Sequence, residues 1–400
     1  MLDLDTIAAI STPPGEGAIA VIRISGPQAG FLAERLFVRR KAGRPLHERV
    51  LHFGHFRNEG GKLDDGMAVV FRAPASYTGE DMAEFHCHGG VLVASRLLQA
   101  VLSAGARSAE PGEFTQRAFL NGKMDLTQAE AVMDVIRAST SLALRAAEEQ
   151  LAGRLGQEVD RIRSLLVKIV AHLEAYIDFP EEGIEPLTAA QLATEIGQTR
   201  ASIERLLATA NEGRILREGV RLVLCGAPNA GKSSLLNRFV GFDRAIVSSL
   251  PGTTRDTIEE FASLRGIPFR ITDTAGLRES NDAVERAGVE RAKRALQGAD
   301  VSVRVIDVTQ PTSLDQHEGE ILALNKIDLI DRKAVPFSRG SAMAISCLTG
   351  EGINELIDAI VMKARSNQPV EAPMLAAINA RHQACLQRAR LRLVEAEEKL

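Results

Sequence analysis

The sequence predicts an α/β + α protein: an N-terminal α/β unit, a helical region that the chain visits twice, and a second α/β unit inserted between the two visits. Three observations predict it. Short apolar runs alternate with glycine and proline turns over residues 1–118. From Thr115 to about residue 213 the composition shifts to Ala, Leu, Glu, Gln and Arg at helical spacing. From Gly219 strand–loop–helix units repeat to about residue 365, and helical sequence returns after Pro369 and Pro373. These changes divide the chain at 1–118, 119–214, 215–368 and 369–400.

In the first unit Ala18 to Ile24 is a strand closed by Ser25-Gly26-Pro27, Met67 to Phe71 a second, and Ala83 to His88 a third that stops at Gly89-Gly90. Helices are expected over 28–37 and 91–104. Leu155, Val159, Ile162, Leu166, Ile169 and Leu173 recur every three or four residues, one stripe of a long helix ended by Phe179-Pro180. A second helix is expected from Thr188, its N-cap, to Asn211, with Leu192, Ile196, Ile203, Leu206 and Leu207 inward. Residues 375–400 read as a further helix carrying Leu386 and Leu393.

Composition excludes several classes. Apolar residues make up 45% and charged residues 25% of the 400, the balance of a folded globular chain rather than a disordered one. No apolar run approaches the ~18 residues of a membrane span. The acidic start Met1-Leu2-Asp3-Leu4-Asp5 is unlike a secretory leader, so a cytoplasmic protein is expected. Forty-eight basic against 52 acidic side chains give −4, so any nucleic-acid contact must be local. Cys87, Cys225, Cys347 and Cys385 are scattered, which argues against a disulfide scaffold.

The most specific pattern lies in the second α/β unit. The strand Val220 to Cys225 runs into Gly226-Ala227-Pro228-Asn229-Ala230-Gly231-Lys232-Ser233, and Ser234 to Phe239 opens a helix. This is a P-loop in its required context. Its glycines let backbone N–H groups converge on phosphate oxygens, and the helix N-terminus adds partial positive charge. Lys232 reaches the β- and γ-phosphates, and the Ser233 hydroxyl binds Mg²⁺.

Three further segments point to guanine. Asp273-Thr274-Ala275-Gly276 supplies an aspartate for magnesium's outer ligand shell, beyond its direct ligands, and a glycine N–H for the γ-phosphate. In Asn325-Lys326-Ile327-Asp328 the carboxylate can accept two hydrogen bonds from guanine's N1–H and amino group, a donor pair adenine lacks. The segment Ile345 to Gly350 offers a backbone N–H to guanine O6. Each aspartate alone also fits a turn or a helix cap.

Hydrolysis needs a sensed γ-phosphate and an oriented water. Gly252-Thr253-Thr254 supplies a switch threonine, and Thr254 is the expected Mg²⁺ ligand. Ras-like proteins place a glutamine after the D-x-x-G glycine, but here that residue is Leu277. Glu285 is the candidate for orienting the water, or is simply a first-turn helix glutamate. Without an arginine finger, a monovalent cation near Asn229 can supply the charge, or Asn229 merely caps the loop. A non-modifying, ribosome-assembly type of regulatory GTPase is the alternative reading of these boxes.

Motifs outside those boxes carry a likeness. They are Asp5 to Ala9, Thr12-Pro13-Pro14-Gly15, Arg23 to Gly26, Ser76 to Asp81, His88-Gly89-Gly90, Ala109 to Phe119, Leu120 to Leu126 and Ile177 to Pro180. Across nearly its whole length the chain resembles the tRNA modification GTPases of the MnmE (TrmE) family. The resemblance implies an N-terminal α/β domain that dimerises and binds a 5-formyltetrahydrofolate-type folate through Arg23, Glu84 and Lys123. It implies a discontinuous helical domain and an inserted Ras-like P-loop GTPase domain. It also implies a potassium-stimulated enzyme with Asn229, Ser248, Leu250 and Thr253 around K⁺, and a nucleotide-facing run from Ser248 through Ser249, Leu250, Pro251, Gly252, Thr253 and Thr254. The partners implied are a second copy, tRNA and the flavin-containing MnmG (GidA) in a heterotetramer. The product is an aminomethyl or carboxymethylaminomethyl group on C5 of the wobble uridine.

Two departures bear on this. The family ends in Cys-x-Gly-Lys, whereas this sequence ends Glu395 to Leu400, so an incomplete helical part is expected. Asp307 to Asn325 is short for a strand–helix–strand passage, so a trimmed helix is expected there. Of the remaining motifs, His86-Cys87-His88 puts its histidines on one strand face and Cys87 on the other, so no local three-ligand cluster forms. Arg39-Arg40-Lys41 reads as a solvated loop.

Overall fold

The computed structural model describes residues 5–40, 45–183, 187–242, 259–273, 297–310, 319–330, 342–365 and 378–399. It divides into two compact units, 1–130 and 131–400.

The first unit is built on a sheet of β1 (Ile7–Ile10), β2 (Gly17–Ser25), β3 (Phe37–Arg39), β4 (His52–Asn58), β5 (Gly61–Phe71), β6 (Met82–Gly89) and β7 (Arg107–Ser108), in the order β3-β4-β5-β6-β2-β1-β7. Alternation decides its two faces. Ile22 and Ile24 of β2 and Phe85 and Cys87 of β6 are buried with Leu32 and Leu36 of α1 (Ala29–Leu36) and Leu97 of α2 (Val91–Ser103). Arg23, Glu84 and His86 therefore point to the other face, while Cys87 lies in the core. The expected strands and both helices are present, and β5 begins six residues earlier than its apolar core Met67 to Phe71. α3 (Glu113–Leu120) follows.

α4 (Leu126–Arg137) spans the division at residue 130, and in the second unit α5 (Ser141–Leu151) follows the N-cap Thr140, whose side chain accepts from the Ala143 N–H. The long stripe forms α6 (Arg154–Asp178), capped by Phe179. Only Leu155, Ile162 and Ile169, seven residues apart, are fully buried, with Leu166 and Leu173 partly so. Val159, expected inward, is 40% exposed. Residues seven apart return to nearly the same side of a helix, and the residues four further on flank that seam. α7 (Ala189–Ala208) opens on the expected Thr188 cap, as a capping box with Gln191. It ends three residues before the expected Asn211, because Thr209 sends both its N–H and its hydroxyl to the Leu206 carbonyl and tightens the last turn. The chain continues as α8 (Ala210–Glu218). Leu192, Ile196, Ile203 and Leu206 share one core with α6 and with Leu393 of α11 (Ala380–Glu397).

Between these helices lies the second sheet: β8 (Val220–Cys225), β9 (Glu259–Leu264), β10 (Ile267–Asp273), β11 (Val301–Asp307), β12 (Glu320–Asn325) and β13 (Ala342–Ala344). Its order is β13-β12-β11-β8-β10-β9, parallel except for the β9–β10 hairpin. Helices α9 (Lys232–Phe242) and α10 (Ile353–Ala364) bury Leu235, Phe239, Leu356 and Ile360 against Leu222, Leu224, Val303 and Ile321. Strand order reverses at β8, with β10 on one side and β11 on the other. In such sheets the crevice at the carboxyl ends of the strands, at the reversal, is where ligands sit. The expected trimmed helix falls on residues 311–318, outside those described.

Candidate functional site

Every described element of the nucleotide pattern meets at that crevice. The loop from Gly226 to Gly231 leaves β8 and enters α9. Gly226 adopts φ +136°, and a Cβ there would lie 2.2 Å from the Val305 carbonyl oxygen of β11. Asn229 takes φ 61°, a conformation asparagine tolerates better than most residues. Ala230 is buried. Lys232 opens α9 and is itself buried, and its ammonium donates to the carbonyls of Gly226 at 3.0 Å and Ala227 at 2.8 Å. A positive group thus lies inside a loop that opens onto a helix N-terminus, the arrangement that attracts phosphate. Ser234 follows on the exposed side of the first turn.

The Ser233 hydroxyl donates to Oδ2 of Asp273, the last residue of β10, at 3.0 Å. Two hard oxygens at this separation fit a magnesium ion, which prefers a few protein oxygens beside water and phosphate.

The end of β12 ties the loop to its neighbours. Asn325 is buried, its Nδ2 donates to the Ala230 carbonyl at 2.8 Å, and its Oδ1 accepts from the Cys347 N–H at 3.0 Å. Lys326 has φ 71°, and its ammonium lies 2.6 Å from Oδ2 of Asp307 at the end of β11. Burial alone would raise the Asp307 carboxyl, but hydrogen bonds from Lys326 and Thr309 hold it below the usual carboxylate range. Asp328 lies in a 3-10 turn, Ile327–Leu329, and accepts from the buried Ser346 hydroxyl at 2.5 Å. Ser346 Oγ accepts in turn from the Thr349 N–H at 3.1 Å. Burial, reinforced by Asp328, pushes the Cys347 thiol up to about 11, which leaves it a packing group rather than a nucleophile.

The structure therefore brings together Asn229, Ala230, Gly231, Lys232, Ser233, Ser234, Asp273, Asn325, Lys326 and Asp328. The positions expected at Ser248, Ser249, Leu250, Pro251, Gly252, Thr253, Thr254, Thr274, Ala275, Gly276 and Glu285 lie outside the described residues. Asp307 and the Ser346 hydroxyl were not among the expected site residues. A signal for Asp307 existed, since it closes β11 as Asp273 closes β10.

In the first unit Arg23 and Glu84 face each other across β2 and β6, with Arg23 Nε 2.8 Å from Glu84 Oε1. The Arg23 guanidinium lies 5.1 Å from the Tyr77 ring centroid and 5.8 Å from that of Phe114. Glu84 Oε2 is 3.7 Å from His86 Nε2. A carboxylate beside a cation and two rings fits a flat heterocycle that carries amino groups. Lys123 bonds instead to the Pro74 carbonyl at 3.0 Å. Nearby, Arg117 is buried among Asp5 at 2.6 Å, Glu113 at 3.0 Å and Glu80 at 3.2 Å, and Arg107 joins Asp5 and Glu113 at 2.6 and 2.7 Å.

Comparison with known proteins gives two family matches: residues 6–123 to the "GTP-binding protein TrmE N-terminus" model and residues 126–400 to the "MnmE helical domain" model. The chain is 50% identical over 387 residues to a tRNA modification GTPase MnmE of Akkermansia muciniphila, covering 94% of this chain and 85% of that protein. It is 46% identical over 410 residues to that of Roseiflexus sp., covering 97% and 88%. It is 44% identical over 415 residues to that of Geobacillus thermodenitrificans, covering 99% and 90%.

Proposed function

This chain belongs to the MnmE family of tRNA modification GTPases, and from that premise we propose that it is a potassium-stimulated GTP hydrolase that serves wobble-uridine modification in the cytoplasm. The observation that carries the nucleotide part is the convergence of Lys232, Ser233, Asp273, Asn325 and Asp328 at the carboxyl ends of one parallel sheet. Lys232 and the loop N–H groups hold the phosphates. Ser233 and Thr254 hold magnesium, whose charge offsets that of the phosphate oxygens. Asp328, held by Ser346, reads the guanine edge. Glu285 orients the attacking water, and Asn229, Ser248, Leu250 and Thr253 hold potassium.

In the N-terminal unit the Arg23–Glu84 pair and the Tyr77 and Phe114 rings support a folate seat, with Lys123 at its edge. We propose that the chain works as a homodimer and joins the flavin-containing MnmG in a heterotetramer. That assembly adds an aminomethyl or carboxymethylaminomethyl group to C5 of the wobble uridine of tRNA. Among the described residues no helix is long and apolar enough to cross a membrane. Hydrolysis measured in potassium and in sodium tests the switch: a rate several-fold higher in potassium is expected, and equal rates remove the cation role. Glu285→Ala is expected to abolish turnover with nucleotide binding intact, and an unaffected rate refutes its assignment. Detection of the modified wobble nucleoside in cells carrying only this chain tests the pathway.

A further inference from the structure

We propose that Arg238 is a positioning residue for guanine recognition, a role that rests on the guanine reading above and deepens it. Arg238 projects from α9, the helix that the phosphate loop opens, and reaches the loop after β13. Its Nε donates to the Cys347 carbonyl at 2.9 Å and its Nη2 to the Leu348 carbonyl at 2.5 Å. A peptide unit is planar and trans, so its C=O and N–H point in opposite directions. Holding the Cys347 carbonyl therefore fixes the direction of the Leu348 N–H. That N–H donates to no group among the described residues, whereas the Cys347 N–H is engaged by Asn325 and the Thr349 N–H by Ser346. The Leu348 N–H is thus the donor left for a base oxygen beside Asp328.

The second contact fixes the next peptide as well. The Leu348 carbonyl held by Arg238 belongs to the same unit as the Thr349 N–H, which donates to Ser346 Oγ, and Ser346 donates to Asp328. One guanidinium therefore fixes the N–H that meets guanine O6, while the carboxylate that meets N1–H and the amino group keeps its own donor, the Ser346 hydroxyl. Its planar fork suits two adjacent carbonyls, which the single ammonium of a lysine does not match. α9 itself is anchored by Leu235, Leu236 and Phe239, while Arg238 is exposed, so the helix does not depend on it.

The test compares GDP, 6-thio-GDP and IDP on the full chain, its Arg238→Ala variant and its Arg238→Lys variant. The thio analogue weakens the O6 acceptor alone, and IDP lacks only the amino group read by Asp328. In Arg238→Ala the GDP affinity is expected to fall about tenfold, the scale of a lost hydrogen bond. The preference for GDP over 6-thio-GDP is expected to collapse toward one, while the preference for GDP over IDP stays within about twofold. Arg238→Lys is expected to fall between. An unchanged GDP to 6-thio-GDP ratio overturns the role. So does a parallel loss of both preferences with a lower melting temperature, which marks a merely structural contact. A parent chain without guanine affinity removes the reading beneath it, a result distinct from a normal parent with an indifferent variant.

Discussion

A Cβ atom on Gly231 would lie 2.1 Å from Nδ2 of Asn325, the nitrogen that donates to the Ala230 carbonyl. The phosphate loop and the end of β12 are thus in direct contact, and Gly231 also has φ +101°. Gly231→Ala is expected to displace Asn325 and strain the loop, costing about 1–3 kcal/mol of stability in this unit. Thermal melting and GDP titration check it together; a variant that melts and binds like the parent contradicts the contact's importance.

Asp328 is expected to decide which base is bound. Asp328→Asn replaces an acceptor by a mixed donor–acceptor and favours xanthine, whose C2 carries an oxygen. Affinity for GDP is expected to fall about 100-fold or more, with xanthosine diphosphate gaining, because a site built for hydrogen bonds rejects a ligand that leaves them unpaired. Ser346→Ala removes the donor that orients the carboxylate at 2.5 Å and is expected to cost a few-fold in the same titration.

Lys326 is held by Asp307 at 2.6 Å, and the carboxyl of Asp307 stays ionised well below neutrality. Asp307→Asn is expected to weaken GDP binding several-fold at pH 7 with little change in melting temperature, since the pair sits near the surface. Retained affinity in that variant removes the positioning role of Asp307.

The buried cluster around Arg117 predicts an acid transition in the N-terminal unit. The Glu113 carboxyl is pulled from 4.5 to about 2, chiefly by its hydrogen bonds with Arg107, and Asp5 is also lowered. A carboxyl lowered by folding contributes stability that is present above its unfolded value and is lost as the pH falls through the folded one. Stability is therefore expected to be flat above about pH 4.5 and to decline between about 4.5 and 2. Glu113→Gln is expected to blunt that decline, as read by denaturant unfolding across the pH range; an equally steep decline in the variant assigns the transition elsewhere.

Much of the fold was legible because periodicity and punctuation agreed. Thr188 capped its helix as expected, and the loop Gly226 to Gly231 sat between strand and helix. Val159 escaped because spacing defines a stripe but not how wide a strip of it the neighbouring helix covers. The break at Thr209 escaped because it depends on a hydroxyl turning back to the Leu206 carbonyl. At the site, glycines and paired motifs exposed the loop, Asn325 and Asp328. Asp307, Ser346 and Arg238 act through contacts 18–110 positions apart in the chain, which no local pattern encodes.

The central claim is that the crevice at the carboxyl ends of the second sheet binds guanine nucleotides. Calorimetric titration of the full chain with GDP and with ADP, in magnesium, tests it most directly. The account predicts saturable GDP binding, with ADP at least about 100-fold weaker. Binding of ADP as tight as GDP, or no heat with either guanine di- or triphosphate, contradicts it.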